Sequence, residues 1–446
     1  MNTIIATLAL SFMTSTSVSG LSTGDNLSKE CSHYQENKVN VSGQENKVNT
    51  PNQENKVNTP NQENNVNTPN QGNKASDSKK EATITFRPAG RIFFDGALFA
   101  PDKDGLSNGV TLPDTRLGGT ATFGKFSATI MMGYGMGALS AKDIWIGYAP
   151  DKHNSFRLGY FIHQFGLDAG YTSAWKSTMI NPVSDSFFKT TGFNIGVRYI
   201  FDKNDIFVAV SLFTPPSGLK LTPGQRGKIS VGAMERFAWR PFRSSGEIAQ
   251  IGFSSWYQTP EHTILISENG DSKMSQGYFD FSANFPTLVN NVTLNKATIN
   301  NAKGLVKLSP DILLSKDRFA FESQYYFMNV TRNAGLSSYK AHGVYAILKG
   351  LIIGDRNYSY SHSNACLATP GKGTLEWALG YDYTNASDHK AGILGGISND
   401  YSVTLNYYLN KYITCRLRYS YTTLRDAAFS EDRNQNIIQA RVMFLF

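Results

Sequence analysis

The C-terminal stretch of the chain alternates with a period of two. Ile438, Ala440, Val442, Phe444 and Phe446 interleave with Gln439, Arg441, Met443 and Leu445. Successive side chains of a strand point to opposite faces, so this pattern predicts a strand with one apolar and one mixed face. The same rhythm recurs from about residue 83. Phe193, Ile195, Val197, Tyr199 and Phe201 alternate with Asn194, Gly196, Arg198 and Ile200; Tyr401, Val403, Leu405, Tyr407 and Leu409 alternate with Ser402, Thr404, Asn406 and Tyr408. Ile413, Cys415, Leu417, Tyr419 and Tyr421 oppose Thr414, Arg416, Arg418 and Ser420, and Phe156, Leu158, Tyr160 and Ile162 oppose Arg157, Gly159, Phe161 and His163. The polar phase repeatedly carries Arg or Glu, which suits a wet lumen better than the inner face of a sandwich.

Backbone amides inside lipid must all be paired, so strands of this kind imply closure. A terminal strand that ends on an aromatic residue is then expected to pair with the first strand. Tight turns are expected at Gly124-Lys125, Pro150–Asn154, Asp202–Asp205 and Asn410-Lys411, with longer links at 99–113, 163–190, 214–226 and 385–399. Short turns at one end and long loops at the other are the habit of outer-membrane barrels. About 364 residues at roughly 23 per strand and connection give about 16 strands. A direct count gives 16 or 17, the difference being residues 276–285. An even number is favoured, so the expectation is an all-β, transmembrane antiparallel β-barrel of about 16 strands, wide enough for an aqueous channel.

The N-terminal fifth reads differently. Residues 1–20 resemble a secretory signal peptide, with the apolar run Ile4–Met13 and the small-residue exit Ser17–Gly20, although no Lys or Arg precedes the run. That run is far short of the roughly 20 residues a spanning helix needs. Residues 21–82 are expected to be a disordered periplasmic linker. It carries nonapeptide repeats: Gln44–Asn52 recurs identically at 53–61, with near copies at 35–43 and 62–70. One valine per repeat offers nothing to pack. The barrel domain is expected over 83–446.

Composition sharpens this picture. Twenty-eight Phe and 22 Tyr fit interfacial girdles, and 39 Gly fit turns. Three cysteines (Cys31, Cys366 and Cys415) do not describe a disulfide framework, and Cys415 falls on the apolar phase of its strand. The net charge is +8; residues 1–82 hold 7 Lys and 8 acidic residues, so the remainder carries an excess of 9 positive charges. That excess predicts a lumen hospitable to anions. The lumen-phase basic residues are Arg116, Arg157, Arg198, Arg236, Arg416, Arg418 and Arg441, each able to fork onto an oxyanion or to pair with Glu322, Glu376 or Asp382. No Walker loop, His-Glu-x-x-His, Gly-x-Ser-x-Gly or paired-cysteine site is present. The expectation is a channel and not an enzyme, with no cofactor, metal or nucleic acid.

Several stretches resemble the phosphate-selective porin O/P family. Gly159–Asp168 resembles the family's Gly-Lys-Phe-Lys-x-Pro-Phe-Gly-Leu-Glu, and Phe321–Tyr326 its Glu-Tyr strand. Leu351–Tyr358 is similar to its Leu-Thr-Gly-Glu-x-Arg-x-Tyr turn, and Gly373–Tyr383 to its Gly-Ala-Trp-Glu-Leu strand. The resemblance covers roughly 83–446. It implies a sixteen-stranded barrel, usually a trimer, that passes small anions. It also implies that the link after the fifth strand, 163–190, folds inward as a constriction, with Phe165, Asp168, Tyr171, Trp175, Lys176 and Asp185 available to set selectivity. Tyr160 and Ile162 stand where the family has Lys, and Gln164 where it has Pro. The channel therefore carries over and the phosphate substrate does not.

The function expected is an outer-membrane porin for passive diffusion of small hydrophilic solutes, with an anion preference. Its partners would be outer-membrane lipids, small anionic or hydrophilic solutes, two further copies in a homotrimer and, through the C-terminal strand, the barrel-assembly machinery. Two alternatives stand beside it. One is a surface-exposed adhesin or antigen with a largely plugged lumen and working loops at 99–113 and 258–274. The other is a channel specific for an oxyanion or an acidic sugar.

Overall fold

The computed structural model describes residues 83–446 apart from 102–104, 136, 189–191, 217–227, 267–271 and 334. The signal peptide, the repeats and Cys31 lie outside the described residues, as does most of the 214–226 link.

Sixteen strands form the barrel: β1 (Thr85–Ala100), β2 (Thr115–Phe123), β3 (Phe126–Gly135), β4 (Ala138–Tyr148), β5 (Asn154–Ile162), β6 (Phe193–Lys203), β7 (Ile206–Thr214), β8 (Gly232–Ser244), β9 (Glu247–Gln258), β10 (Ala302–Lys316), β11 (Phe319–Arg332), β12 (Tyr339–Ile353), β13 (Thr374–Asp388), β14 (Ile393–Tyr408), β15 (Ile413–Ala427) and β16 (Arg433–Leu445). Each pairs antiparallel with the next. β16 closes the ring on β1, from Arg91↔Leu445 to Ala100↔Asn436. Beyond the last strand residue, Gly90 and Phe446 still exchange backbone hydrogen bonds of 2.9 and 3.1 Å. Closure leaves no unpaired edge, which is what an apolar surround demands.

The two phases of each strand have opposite fates. Outward residues are apolar and exposed: Leu117, Ile130, Leu158, Leu212 and Ile251. Inward ones are largely polar and buried: Ser309, Thr404, Asn406, Ser420 and Gln439. This inversion of a soluble protein follows from lipid outside and hydrogen-bonding partners inside.

The turn end is tight. Two-residue turns at Gly124-Lys125, Asn204-Asp205, Ser245-Gly246 and Asp317-Arg318 each contain a positive-φ residue (Gly124, Asn204, Gly246 and Asp317), as the hairpin twist requires. The doubtful stretch 276–285 stands outside the sixteen, and two expectations about the links are corrected. Residues 276–285 contain a strand, Tyr278–Asn284, which pairs with Thr293–Asn300 in a separate hairpin and not with the barrel. The 385–399 link shrinks to the turn 389–392, because β13 and β14 run on and pair up to Asp388↔Ile393. And the turn end is not uniformly short: 354–373 forms a 20-residue link between β12 and β13.

Candidate functional site

Three segments turn into the barrel. The first, 163–192, follows β5 and contains a 3-10 turn (Asp168–Gly170) and a short helix, α1 (Val183–Phe188). Its Phe165, Phe187 and Phe188 are fully buried in an apolar core built with Met234, Trp256, Tyr326 and Met328 of the wall. Wall arginines grip its backbone: Arg416 donates to the carbonyls of Ala174 and Lys176, both at 2.6 Å, and Arg441 to that of Met179 at 2.9 Å. Asp382 accepts from Ser184 N at 3.1 Å and Ser184 Oγ at 2.5 Å. Lys176 pairs with Asp168 within the segment. Burial, reinforced by Asp185, pushes Asp168 up to about 8, with Lys176 opposing the shift.

The second insert is the hairpin of 278–300. Phe279, Phe281, Ala283, Leu294, Ala297 and Ile299 are buried in the same core, while Ser282, Asn284, Lys296 and Thr298 on the opposite phase stay exposed. The wall holds it through Arg418 and Gln439, which donate to the Pro286 carbonyl at 3.1 and 2.8 Å, and through Asn295 Nδ2 to Gly396 O at 2.9 Å. The third insert, 354–373, rises from the turn end. Tyr360 Oη donates to Gln250 at 2.5 Å, Arg240 to His362 O at 3.0 Å, and Gln164 of the first insert to Asn364 O at 2.5 Å.

Together the inserts pack against one side of the lumen and leave the other wet. Inward residues of β7–β16 are buried almost throughout, whereas Arg116, Thr120, Ser127, Lys142, Asp143, Arg157 and Arg198 on β2–β6 are half-buried. A cavity of about 410 Å³ opens there, bounded by Asp114, Arg116, Lys142, the first insert and the hairpin.

The charge of this wall is lopsided. β2–β6 contain only two carboxylates, Asp143 and Asp202, and Asp202 is taken by Arg240. Register sets Arg91 directly opposite Arg116, and Arg157 directly opposite Arg198. Like charges facing each other across strands are destabilising. Asp114 bridges the first pair, at 2.8 Å from Arg116 Nε. Among the described residues, no carboxylate lies within ion-pair distance of Arg157 or Arg198. Arg157 instead stacks 3.8 Å above the Trp145 ring, and Arg198 lies 5.2 Å from that of Phe161.

The basic residues singled out from sequence thus fall into two groups. Arg116, Arg157 and Arg198 share the wet wall. Arg236, Arg416 and Arg418 are buried: Arg236 lies 3.7 Å from Asp311 and donates to Ala365 O, while Arg418 meets Asp400 at 2.5 Å. Lys176 is buried beside Asp168, and Trp175 packs half-buried against Phe93, Ala174 and Met443. Glu322, Glu376 and Asp382 pair with none of these arginines. Glu322 takes Lys349 and Tyr171, Glu376 takes Tyr358, Tyr408 and Asn406, and Asp382 takes Ser184. Sequence reading missed Lys142, because a bulge in the pairing of β3 and β4 shifts its phase. It also missed Arg91 as the partner of Arg116.

A family model described as phosphate-selective porin O and P matches residues 118–446. No curated protein matches. Solved structures with the same fold include in-vitro folded OmpT, an outer membrane protein of Vibrio cholerae (TM-score 0.52, 10% identity, 83% of this chain and 100% of that one). A trimer form of that protein gives 0.50 at 9% identity, covering 81% and 99%. An anion-selective porin from Comamonas acidovorans gives 0.50 at 11% identity, covering 82% and 100%.

Proposed function

This chain belongs to the phosphate-selective porin O and P family, and on that premise we propose that it passes small hydrophilic anions through a passage along β2–β6. The fold and family make it an outer-membrane porin. The observation that carries the charge preference is the Arg157↔Arg198 register pair, two facing guanidiniums on the wet wall with no ion-paired carboxylate. Such a pair costs stability, and a permeating anion relieves the repulsion. The anion selectivity of the Comamonas porin supports the same reading. Arg116 and Lys142 extend the basic strip past Asp114, while Arg236, Arg416, Arg418 and Lys176 act indirectly by holding the inserts that shape the passage.

Phosphate is not proposed as the preferred solute. Where the family has two lysines this chain has Tyr160 and Ile162, both on the outward phase of β5. The trimeric state is proposed from the family and from the trimer form of the Vibrio protein. Thr85 and Phe446 both lie at the turn end, which we take as periplasmic; an exported chain with residues 1–20 as signal and 21–82 as tether fits that polarity. Outer-membrane lipids on the apolar face and recognition of the C-terminal strand by the assembly machinery belong to the same proposal.

The test is the zero-current potential across a bilayer under a salt gradient. An anion-preferring sign is expected, and Arg157→Gln with Arg198→Gln should lower the anion-to-cation ratio severalfold. A cation preference would overturn the charge reading. Absence of any conductance would favour the second reading, a surface-interaction barrel, to which the packed core of 163–192 and 278–300 lends support.

A further inference from the structure

We infer that the cavity between the hairpin and β2–β4 is a binding site for a polyhydroxylated organic anion, such as a sugar acid. This deepens the porin reading and rests on it. The cavity, about 410 Å³, falls within the roughly 300–1,000 Å³ span of small-molecule sites. Its two sides differ in chemistry. The barrel side brings Lys142, with no carboxylate in ion-pair distance among the described residues, and Arg116, which Asp114 of the same wall engages at 2.8 Å, so that positive charge exceeds negative there. The insert side brings Ser282 and Asn284 from the exposed face of the hairpin, Asn284 Nδ2 lying 3.4 Å from Asn291 Oδ1. These are amides and hydroxyls, each both donor and acceptor.

Chloride only accepts hydrogen bonds, and inorganic phosphate at neutral pH carries no more than about two hydroxyl donors, so neither matches a far wall of paired donors and acceptors as a polyol does. A hydroxyl both donates and accepts, so amide and hydroxyl side chains match sugar hydroxyls. One anionic group set against Arg116 and Lys142, with hydroxyls across the cavity, satisfies both sides at once. The hairpin's alternation creates this surface: Phe281, Ala283 and Phe285 anchor it, and that anchoring turns Ser282 and Asn284 toward the opening. The barrel closes without the hairpin, whose two strands, among the described residues, pair with each other and beyond that only through the single bridge of Tyr278 to Glu261.

The experiment measures block of chloride current through the reconstituted full chain by glucuronate, inorganic phosphate and glucose. Glucuronate is expected to block at about tenfold lower concentration than phosphate or glucose, the factor that one or two hydrogen bonds carry. Combining Ser282→Ala with Asn284→Ala should weaken glucuronate block about fivefold to tenfold while leaving phosphate block unchanged. Both substitutions lie on the exposed face of the hairpin, so an unchanged chloride conductance shows an intact barrel. Equal block by phosphate and glucuronate, or glucuronate block that survives the double substitution, overturns this inference and leaves the porin reading standing. Absence of chloride current overturns both.

Discussion

Arg441 donates through Nε and Nη2 to both oxygens of Asp95, at 2.7 Å each, across the strand pair that closes the barrel. Both side chains are about 1% exposed. Removing one partner strands the other charge in a dry site, a loss of about 3–5 kcal/mol. Arg441→Met should therefore lower the urea midpoint of the folded barrel sharply, and adding Asp95→Leu should restore much of it. His163, at the mouth of the first insert, lies between the rings of Phe161 and Phe213. Burial, with the Arg198 guanidinium nearby, lowers its pKa to about 3. The folded chain thus keeps it neutral while the unfolded chain takes a proton near 6.5. Its contribution is fully present above about pH 6.5 and declines progressively down to about pH 3. His163→Phe should reduce the fall in urea midpoint between pH 7 and pH 4; an equal fall in both proteins would assign the acid sensitivity to other groups.

The hairpin of 278–300 is the element whose removal says most. It supplies Phe279, Phe281 and Ile299 to the lumen core and the Pro286 carbonyl to Arg418 and Gln439. Replacing 278–300 by a short Gly-Ser linker leaves every barrel strand pair in place. The expected outcome is a folded barrel with severalfold higher single-channel conductance. An unchanged conductance would show that current does not pass beside the hairpin. The hairpin's period of two was legible in the sequence, but its destination was not. An apolar phase that packs on Trp256 and Tyr326 from within looks the same, read locally, as one that faces lipid. Link 163–192 was legible by its position after β5, whereas 354–373 was not, since at the turn end short connections are the rule.

At the scale of the whole molecule the decisive act is closure. A Cβ at Gly90 would sit 2.2 Å from the Phe446 ring, so the terminal aromatic lies over a position only glycine leaves open. Gly90→Val is expected to displace that ring and weaken the β1–β16 seam. The folded form should then lose its heat-modifiable mobility in SDS gels at lower temperature than the parent does. A parent-like transition would show that the strand ladder alone carries closure.

Closure and, along the regular barrel strands, the side each residue faces were determined by the sequence, because period-two alternation is local and lipid enforces it at every strand; the bulge at Lys142 and the inward hairpin lie beyond its reach. The alternation of their neighbours alone sets Arg116, Arg157 and Arg198 on the polar phase of their strands. What they share, and what Arg236, Arg416 and Arg418 do instead, was decided only by tertiary structure. Phase tells a side chain which way to point and not what lies across the lumen. Arg416 meets Lys176 from 240 residues away, and Arg418 meets Pro286 from 132. These inserted backbones, arriving from distant parts of the chain, turn Arg236, Arg416, Arg418 and Arg441 into struts and leave Arg116, Arg157 and Arg198 on the open wall.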